Sequence, residues 1–229
     1  MKAGDPPEFI AWFNLLKQEF ASARLLFHES RDEQSHFADN DLSLVNTLDY
    51  PAFGIATERL RLAFRSAYGL LDKIAGFLNA YFALGHQPNR VDLRGVWFAD
   101  PLKRTTIHPK LKDRPNLPLR GLCWLSFDIL GDHDGSDDTI APDASHLNDL
   151  RNSFEHRCLV LRDLPSDEPM GIVQTQPLAD FRIDTLRMLE LAHAALLNLS
   201  FAMHVEERSR RADRDGLIAD MPLPTYERW

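Results

Sequence analysis

A chain of 229 residues makes one domain or at most two, and 44% hydrophobic with 26% charged residues is the composition of a folded globular protein, which excludes disordered, collagen-like and disulfide-scaffold classes. Lys and Arg number 26 against 34 Asp and Glu, a formal charge of −8, so bulk electrostatic coating of nucleic acid is excluded and any contact with it must be local. Two cysteines, Cys123 and Cys158, and an opening Met1-Lys2-Ala3-Gly4-Asp5 with no apolar stretch predict a reducing, cytoplasmic compartment. The longest apolar run, residues 194–205, carries Asn198, Ser200 and His204 and falls short of the roughly 18–20 residues a bilayer-spanning helix needs, so no membrane association is expected.

After Pro6-Pro7, the residues Phe9, Phe13, Leu16, Phe20, Ala23 and Phe27 alternate spacings of four and three, which is one helical face. A polar loop over residues 29–49 follows. Pro51 and Gly54 then precede a stronger run of Leu60, Phe64, Ala67, Leu71, Ile74, Leu78 and Tyr81, flanked by Ala63, Leu70, Phe77 and Leu84. This is a long amphipathic helix ending near Gly85, with the rhythm of nearly antiparallel packing. Residues 86–118 lose periodicity and gain Pro88, Pro101, Pro109, Pro115 and Pro118, predicting a long crossover with one turn around residues 96–98. A third helix spans about residues 119–129, with Leu122, Leu125, Phe127 and Ile129, and stops at Gly131. An acidic loop covers residues 131–139. A fourth helix starts after Pro142, with Asp143 as its N-cap, and continues to Arg157. Residues 159–161 and 172–175 flank a turn-rich stretch containing Pro165 and Pro169 and predict a small β-hairpin. The last helix, about residues 180–211, is apolar nearly all round between 194 and 205 and is expected to be the central buried one. The pattern predicts an all-α, up-and-down helical bundle of four to five long helices with a β-hairpin insertion after the fourth. It forms a single domain over residues 1–229: helix and loop to 50, core bundle 51–211, and a mixed-charge tail 212–229.

The chemistry-bearing segment is Arg151-Asn152-Ser153-Phe154-Glu155-His156. At about 100° per residue from Arg151, Glu155 falls near ~40°, Asn152 near ~100° and His156 near ~140°, so the four polar groups share a face. Leu147, Leu150, Phe154 and Cys158 form the apolar stripe beside it. A histidine exchanges protons near neutral pH, and an arginine offers phosphate oxygens a planar donor fork that never loses its charge. Asn152 can orient either the imidazole or the phosphate, and Glu155 is spaced to pair with Arg151. These are parts for RNA cleavage without a metal, in which the substrate's own 2′-OH attacks the adjacent phosphate. On spacing alone the same residues also read as a solvated face with one ion pair.

The segment resembles the R-x-x-x-x-H signature, in its R-N-x-x-x-H form, of the HEPN superfamily of nucleotide-binding and RNase domains. The upstream helix Phe64-Arg-Ser-Ala-Tyr-Gly-Leu-Leu-Asp-Lys-Ile-Ala-Gly-Phe-Leu-Asn79 is similar to the bacterial branch, and the resemblance covers about residues 10–207. It implies a helical bundle and a homodimer with the motif helices facing across the two-fold. The shared cleft would be one in which Arg151, Asn152 and His156 act on RNA. It further implies an endoribonuclease serving as a toxin or defence effector, with an antitoxin or regulatory protein as partner; the alternative is a non-catalytic dimeric module that binds RNA, a nucleotide or a protein. Some such toxins carry a tyrosine two residues after the histidine that their partner modifies. Here Cys158 stands there, a departure from the pattern that bears on that mode of control and not on the cleavage chemistry.

Arg59, Arg61, Arg65, Lys73 and Arg157 are the basic residues able to line an RNA groove, although Arg59, Arg61, Arg65 and Lys73 also balance Glu58 and Asp72 as a solvated face. Asp132, Asp134, Ser136 and Asp138 have a calcium-loop rhythm, but Asp137 occupies the glycine position and the twelfth position lacks glutamate. His193 and His204 read as core or edge histidines without zinc-type spacing, His133 and His146 flank the motif, and Cys158 reads as a packing residue. Neither a metal nor a cofactor is expected.

Overall fold

The computed structural model describes residues 8–32, 36–40, 42–45, 50–130, 142–156, 159–163 and 174–212. The first apolar stripe forms α1 (Glu8–Glu29), burying Leu16, Ala23 and Phe27, with Phe9, Phe13 and Phe20 packed part-buried against the core. A single turn, α2 (Phe37–Asn40), follows. Its Asp39 carboxylate accepts the Ile55 N–H at 2.9 Å and so caps α3 (Ile55–Tyr81), where an anion also suits the helix dipole. The chain enters α3 through Gly54 at φ +112°, a conformation that suits glycine alone.

α3 is the centre of the molecule. Leu60, Phe64, Ala67, Leu71, Ile74 and Leu78 are all fully buried, as the spacing predicts. Its pairings set the topology. Lys73 meets Glu19 and Arg59 meets Glu29, so α1 lies antiparallel to it. The last helix, α7 (Leu178–Ala212), runs parallel to α3, because Phe181 packs on Phe64 and Glu207 meets Tyr81.

α7 touches α1, α3, α5 and both strands, but it is buried along one side and not all round as its composition suggests. Phe181, Met188, Ala192, Ala195 and Leu199 face inward, while Ile183, Leu186, Leu197 and Phe201 remain exposed. Among the described residues α7 is also the one helix long and apolar enough, by length and composition, to cross a bilayer, and 39% of that stretch is buried within the fold. Asn198, Ser200 and His204 break its apolar run, yet its most apolar stretch still has a mean hydropathy of 1.3. Packing against α1, α3 and α5 gives α7 a core-forming inner side.

Between α3 and the next long helix the chain makes two 3₁₀ turns (Pro88–Arg90 and Gly95–Trp97) and a short α4 (Pro109–Lys112), more local structure than the single turn expected. Asn116 closes this crossover. Its amide donates to the Ala202 carbonyl at 2.9 Å and to Glu206 at 3.0 Å, and its oxygen accepts the Leu119 N–H at 3.0 Å. α5 (Leu117–Leu130) then runs antiparallel along α7, and α6 (Pro142–His156) crosses the N-terminal part of α7. α6 begins at Pro142, so Asp143 lies inside its first turn and not at the cap. The acidic loop with its calcium-like rhythm lies outside the described residues.

β1 (Leu159–Arg162) and β2 (Gln174–Pro177) pair in parallel, Leu159 opposite Gln174 through Arg162 opposite Pro177. This corrects the expected hairpin: parallel strands need a crossover and not a tight turn. The other edge of β1 takes residues 50–52, with Ala52 N–H donating to Leu161 O at 2.7 Å. Arg61 donates to Leu159 O at 3.1 Å. The chain is thus anchored again at Leu159, three residues beyond His156.

Candidate active site

Leu147, Leu150 and Ser153 of α6 are buried, and Phe154 packs on Phe64 and Phe181 with ring centroids 5.8 Å and 5.0 Å apart. The apolar stripe read from the sequence is thus the packing face. The neighbouring flank carries Asn148 and Arg151 towards α3, with Asn152 exposed beside Arg151. The Arg151 guanidinium lies over the Tyr68 ring, 5.6 Å from its centroid, and donates to the Asn152 side-chain oxygen at 3.2 Å. The Tyr68 hydroxyl donates to the Asn148 oxygen at 2.9 Å, so both ends of the phenol hold α6.

One turn along α3 stands Asp72. Its carboxyl is pushed above the ordinary carboxylate value of 3.8 by burial, against the pull of Arg151 and with a further push from Asp92. Burial, followed by the charge of Asp72, likewise holds the Tyr68 phenol far above its usual range despite Arg151, so Tyr68 is a neutral hydrogen-bond donor throughout. Asp92 is fixed by the Gly95 N–H at 2.5 Å and by Arg104 at 2.7 Å, which brings the crossover segment to the edge of the cluster. The arrangement is a cation on an aromatic face with carboxylates around it, held from three separate parts of the chain.

The structure brings Arg151 and Asn152 together. His156 is the last residue of α6; at about 1.5 Å rise per residue its backbone lies ~7.5 Å along the axis from Arg151. Glu155 precedes it on the same helix, whereas Arg157 and Cys158 lie outside the described residues. Arg59 pairs with Glu29 at 3.4 Å, Lys73 with Glu19 at 2.6 Å, and Arg61 with Glu58 and the Leu159 carbonyl. Arg65 lines a cleft beside α3.

Of the remaining histidines, His146 meets Asp184 at 3.3 Å, and Asp184 is also held by Gln176 at 2.6 Å. His193, stacked on Phe20, and His204 are exposed and not core residues, because they fall on the outer side of α7. Burial pushes the Cys123 thiol up to about 12. No group of three or more His, Cys, Asp and Glu able to hold a metal occurs among the described residues.

Sequence reasoning missed Tyr68, Asn148 and Asp92, and treated Asp72 as surface charge. The available signal was a tyrosine and an aspartate four residues apart at the edge of an otherwise apolar face, positions that a purely solvated surface does not require.

A helical bundle with this motif helix at its edge defines a HEPN module. The chain matches the LA2681-like HEPN family over residues 1–206 and belongs to that family. HEPN modules are often ribonucleases or nucleotide-binding proteins, and they commonly bind RNA and dimerise. No curated protein and no solved structure gives a significant match.

Proposed function

We propose that this protein is a metal-independent endoribonuclease of HEPN type that cleaves RNA at a composite site formed by two protomers, acting as a cytoplasmic toxin or defence effector restrained by an antitoxin or regulatory protein. The carrying observation is the seating of Arg151 on Tyr68, beside Asn152, on a helix that ends at His156. A guanidinium whose rotamer is fixed before substrate arrives can stabilise charge building on a phosphate without reorganising.

In the reaction the 2′-oxygen bonds to phosphorus as the bond to the 5′-oxygen breaks, leaving a 2′,3′-cyclic phosphate and a 5′-hydroxyl. One His156 imidazole takes the 2′-OH proton, and the second, from the symmetry-related protomer, gives a proton to the departing 5′-oxygen. Arg151 neutralises the equatorial oxygens and Asn152 fixes its orientation. Labelled RNA tests the proposal: cleavage should survive EDTA, yield cyclic-phosphate ends, and fall by about 10²–10⁴ in His156→Ala. Full activity in that variant refutes it.

The net charge of −8 favours a second reading, a non-catalytic dimeric module holding RNA, a nucleotide or a protein on the same face. In that case RNA or nucleotide is bound but never cut, and Arg151→Ala weakens binding more than His156→Ala.

A further inference from the structure

The polar surface of α3 does not end at the candidate site. With Tyr68 at zero and about 100° per residue, Asp72 lies near ~40°, Arg65 near ~60°, Gly69 near ~100°, Lys73 near ~140° and Ser66 near ~160°. Arg65 therefore stands at the seam between the Arg151 cluster and a cleft of about 410 Å³, which it lines with Ser66, Gly69 and Lys73 of α3 and with Glu19 and Ser22 of α1. The volume lies in the range of about 300–1,000 Å³ typical of ligand sites. Its walls carry two cations, Arg65 and Lys73, two hydroxyls, Ser22 and Ser66, and the Glu19 carboxylate.

Two glycines interrupt the C-terminal two-thirds of α3, and packing explains only one. A Cβ on Gly76 would lie 3.3 Å from the Trp12 ring, whereas a Cβ on Gly69 would meet nothing within 4 Å. A helix-interior glycine is unfavourable relative to alanine, and at 69 the contacts of the fold give no reason for it. Its effect is a cleft floor of bare helix backbone that a ligand can approach closely. At one end Lys73 is held by both Glu19 carboxylate oxygens at 2.6 Å, in a pair exposed enough that water screens much of its attraction. A phosphate can replace Glu19 as the partner of Lys73 at little cost.

We infer that the α1–α3 cleft is a phosphodiester-backbone subsite for the RNA strand whose scissile phosphate lies at Arg151, with Glu19 occupying Lys73 until the strand arrives. The destination of that strand rests on the endoribonuclease reading, while the cleft rests on its own geometry. The test uses the full chain as His156→Ala, to prevent turnover, and a labelled single-stranded RNA titrated at several salt concentrations.

Added to that background, Lys73→Glu and Gly69→Leu should each weaken binding by about tenfold. Lys73→Ala should reduce the slope of log affinity against log salt by about 0.7, one single-strand phosphate contact. Glu19→Gln should tighten binding several-fold, a gain that misfolding cannot produce. If RNA binds and all four variants keep the parent's affinity and slope, the subsite is refuted and the endoribonuclease reading stands. If the parent binds no RNA and the wild type cuts none, both fall together. Cleavage by the wild type with unaltered kinetics in Lys73→Glu and Gly69→Leu refutes the subsite alone.

Discussion

Arg151 draws its rigidity from a flat aromatic support and a neighbouring amide, both short-range and both dependent on its planar shape. Arg151→Lys keeps the charge but loses the stacked fork, so RNA cleavage should fall on the order of 10²-fold with little change in thermal midpoint. Tyr68→Leu removes the support instead. It should cost about 0.5–2 kcal/mol of guanidinium contact, plus the hydrogen bond to Asn148, measured by urea unfolding. Asp72 has the opposite character, because its charge is favourable for Arg151 and unfavourable for the fold. Its carboxyl in the folded chain titrates above the ordinary value of 3.8, so the folded state holds the proton more tightly than the unfolded one. The stability this contributes is complete below the ordinary carboxylate range and is lost as pH rises through the raised folded value. Asp72→Asn mimics the protonated form. It should unfold at higher urea than wild type at pH 7, with the advantage shrinking as pH falls and vanishing once the wild-type group is protonated in both states. RNA cleavage should drop in the same variant as Arg151 loses its counter-charge, a trade of activity for stability.

Among the elements, α3 allows a paired prediction from one residue type. Gly69→Ala adds a Cβ in open space and should stabilise by up to about 1 kcal/mol. Gly76→Leu drives side-chain atoms into Trp12 and should destabilise by about 1–3 kcal/mol through overpacking of the α1–α3 seam. Urea midpoints of the two variants should move in opposite directions. Helix existence was legible because the 3-4 apolar rhythm of Leu60, Phe64, Ala67 and Leu71 is the imprint of burial on one face. The one-sided burial of α7 was not legible, since burial depends on which neighbours arrive and apolar Leu197 and Phe201 receive no inward place. Strand direction in the β1–β2 pair was hidden for a related reason: short apolar runs carry no record of how they pair. In the site, the motif helix and its stripe were readable from local spacing. Tyr68 was not, because its hydroxyl meets Asn148 from eighty residues away, a pairing that only the packing of α6 on α3 creates.

For the whole molecule, the surface charge and the chemistry pull in different directions. On the proposed function, a chain at −8 gains nothing from long-range attraction to RNA, so capture would rely on cations concentrated in one place, and two-fold pairing of motif helices would be the economical way to concentrate them. In-line attack by a 2′-OH also needs a base on one side of phosphorus and an acid on the other, and each protomer has a single His156 to offer. If both imidazoles of a dimer serve one cleavage, then doping wild type with a large excess of His156→Ala and allowing subunits to exchange makes activity follow the square of the wild-type fraction. At one part wild type in ten, about 1% of the activity should remain, where sites complete within one chain would leave about 10%. Dilution gives the independent check: the rate per protomer should fall in proportion to concentration once the dimer dissociates. A constant rate per protomer, together with linear dependence on the wild-type fraction, would place base and acid within a single chain and require a second proton carrier there other than His156.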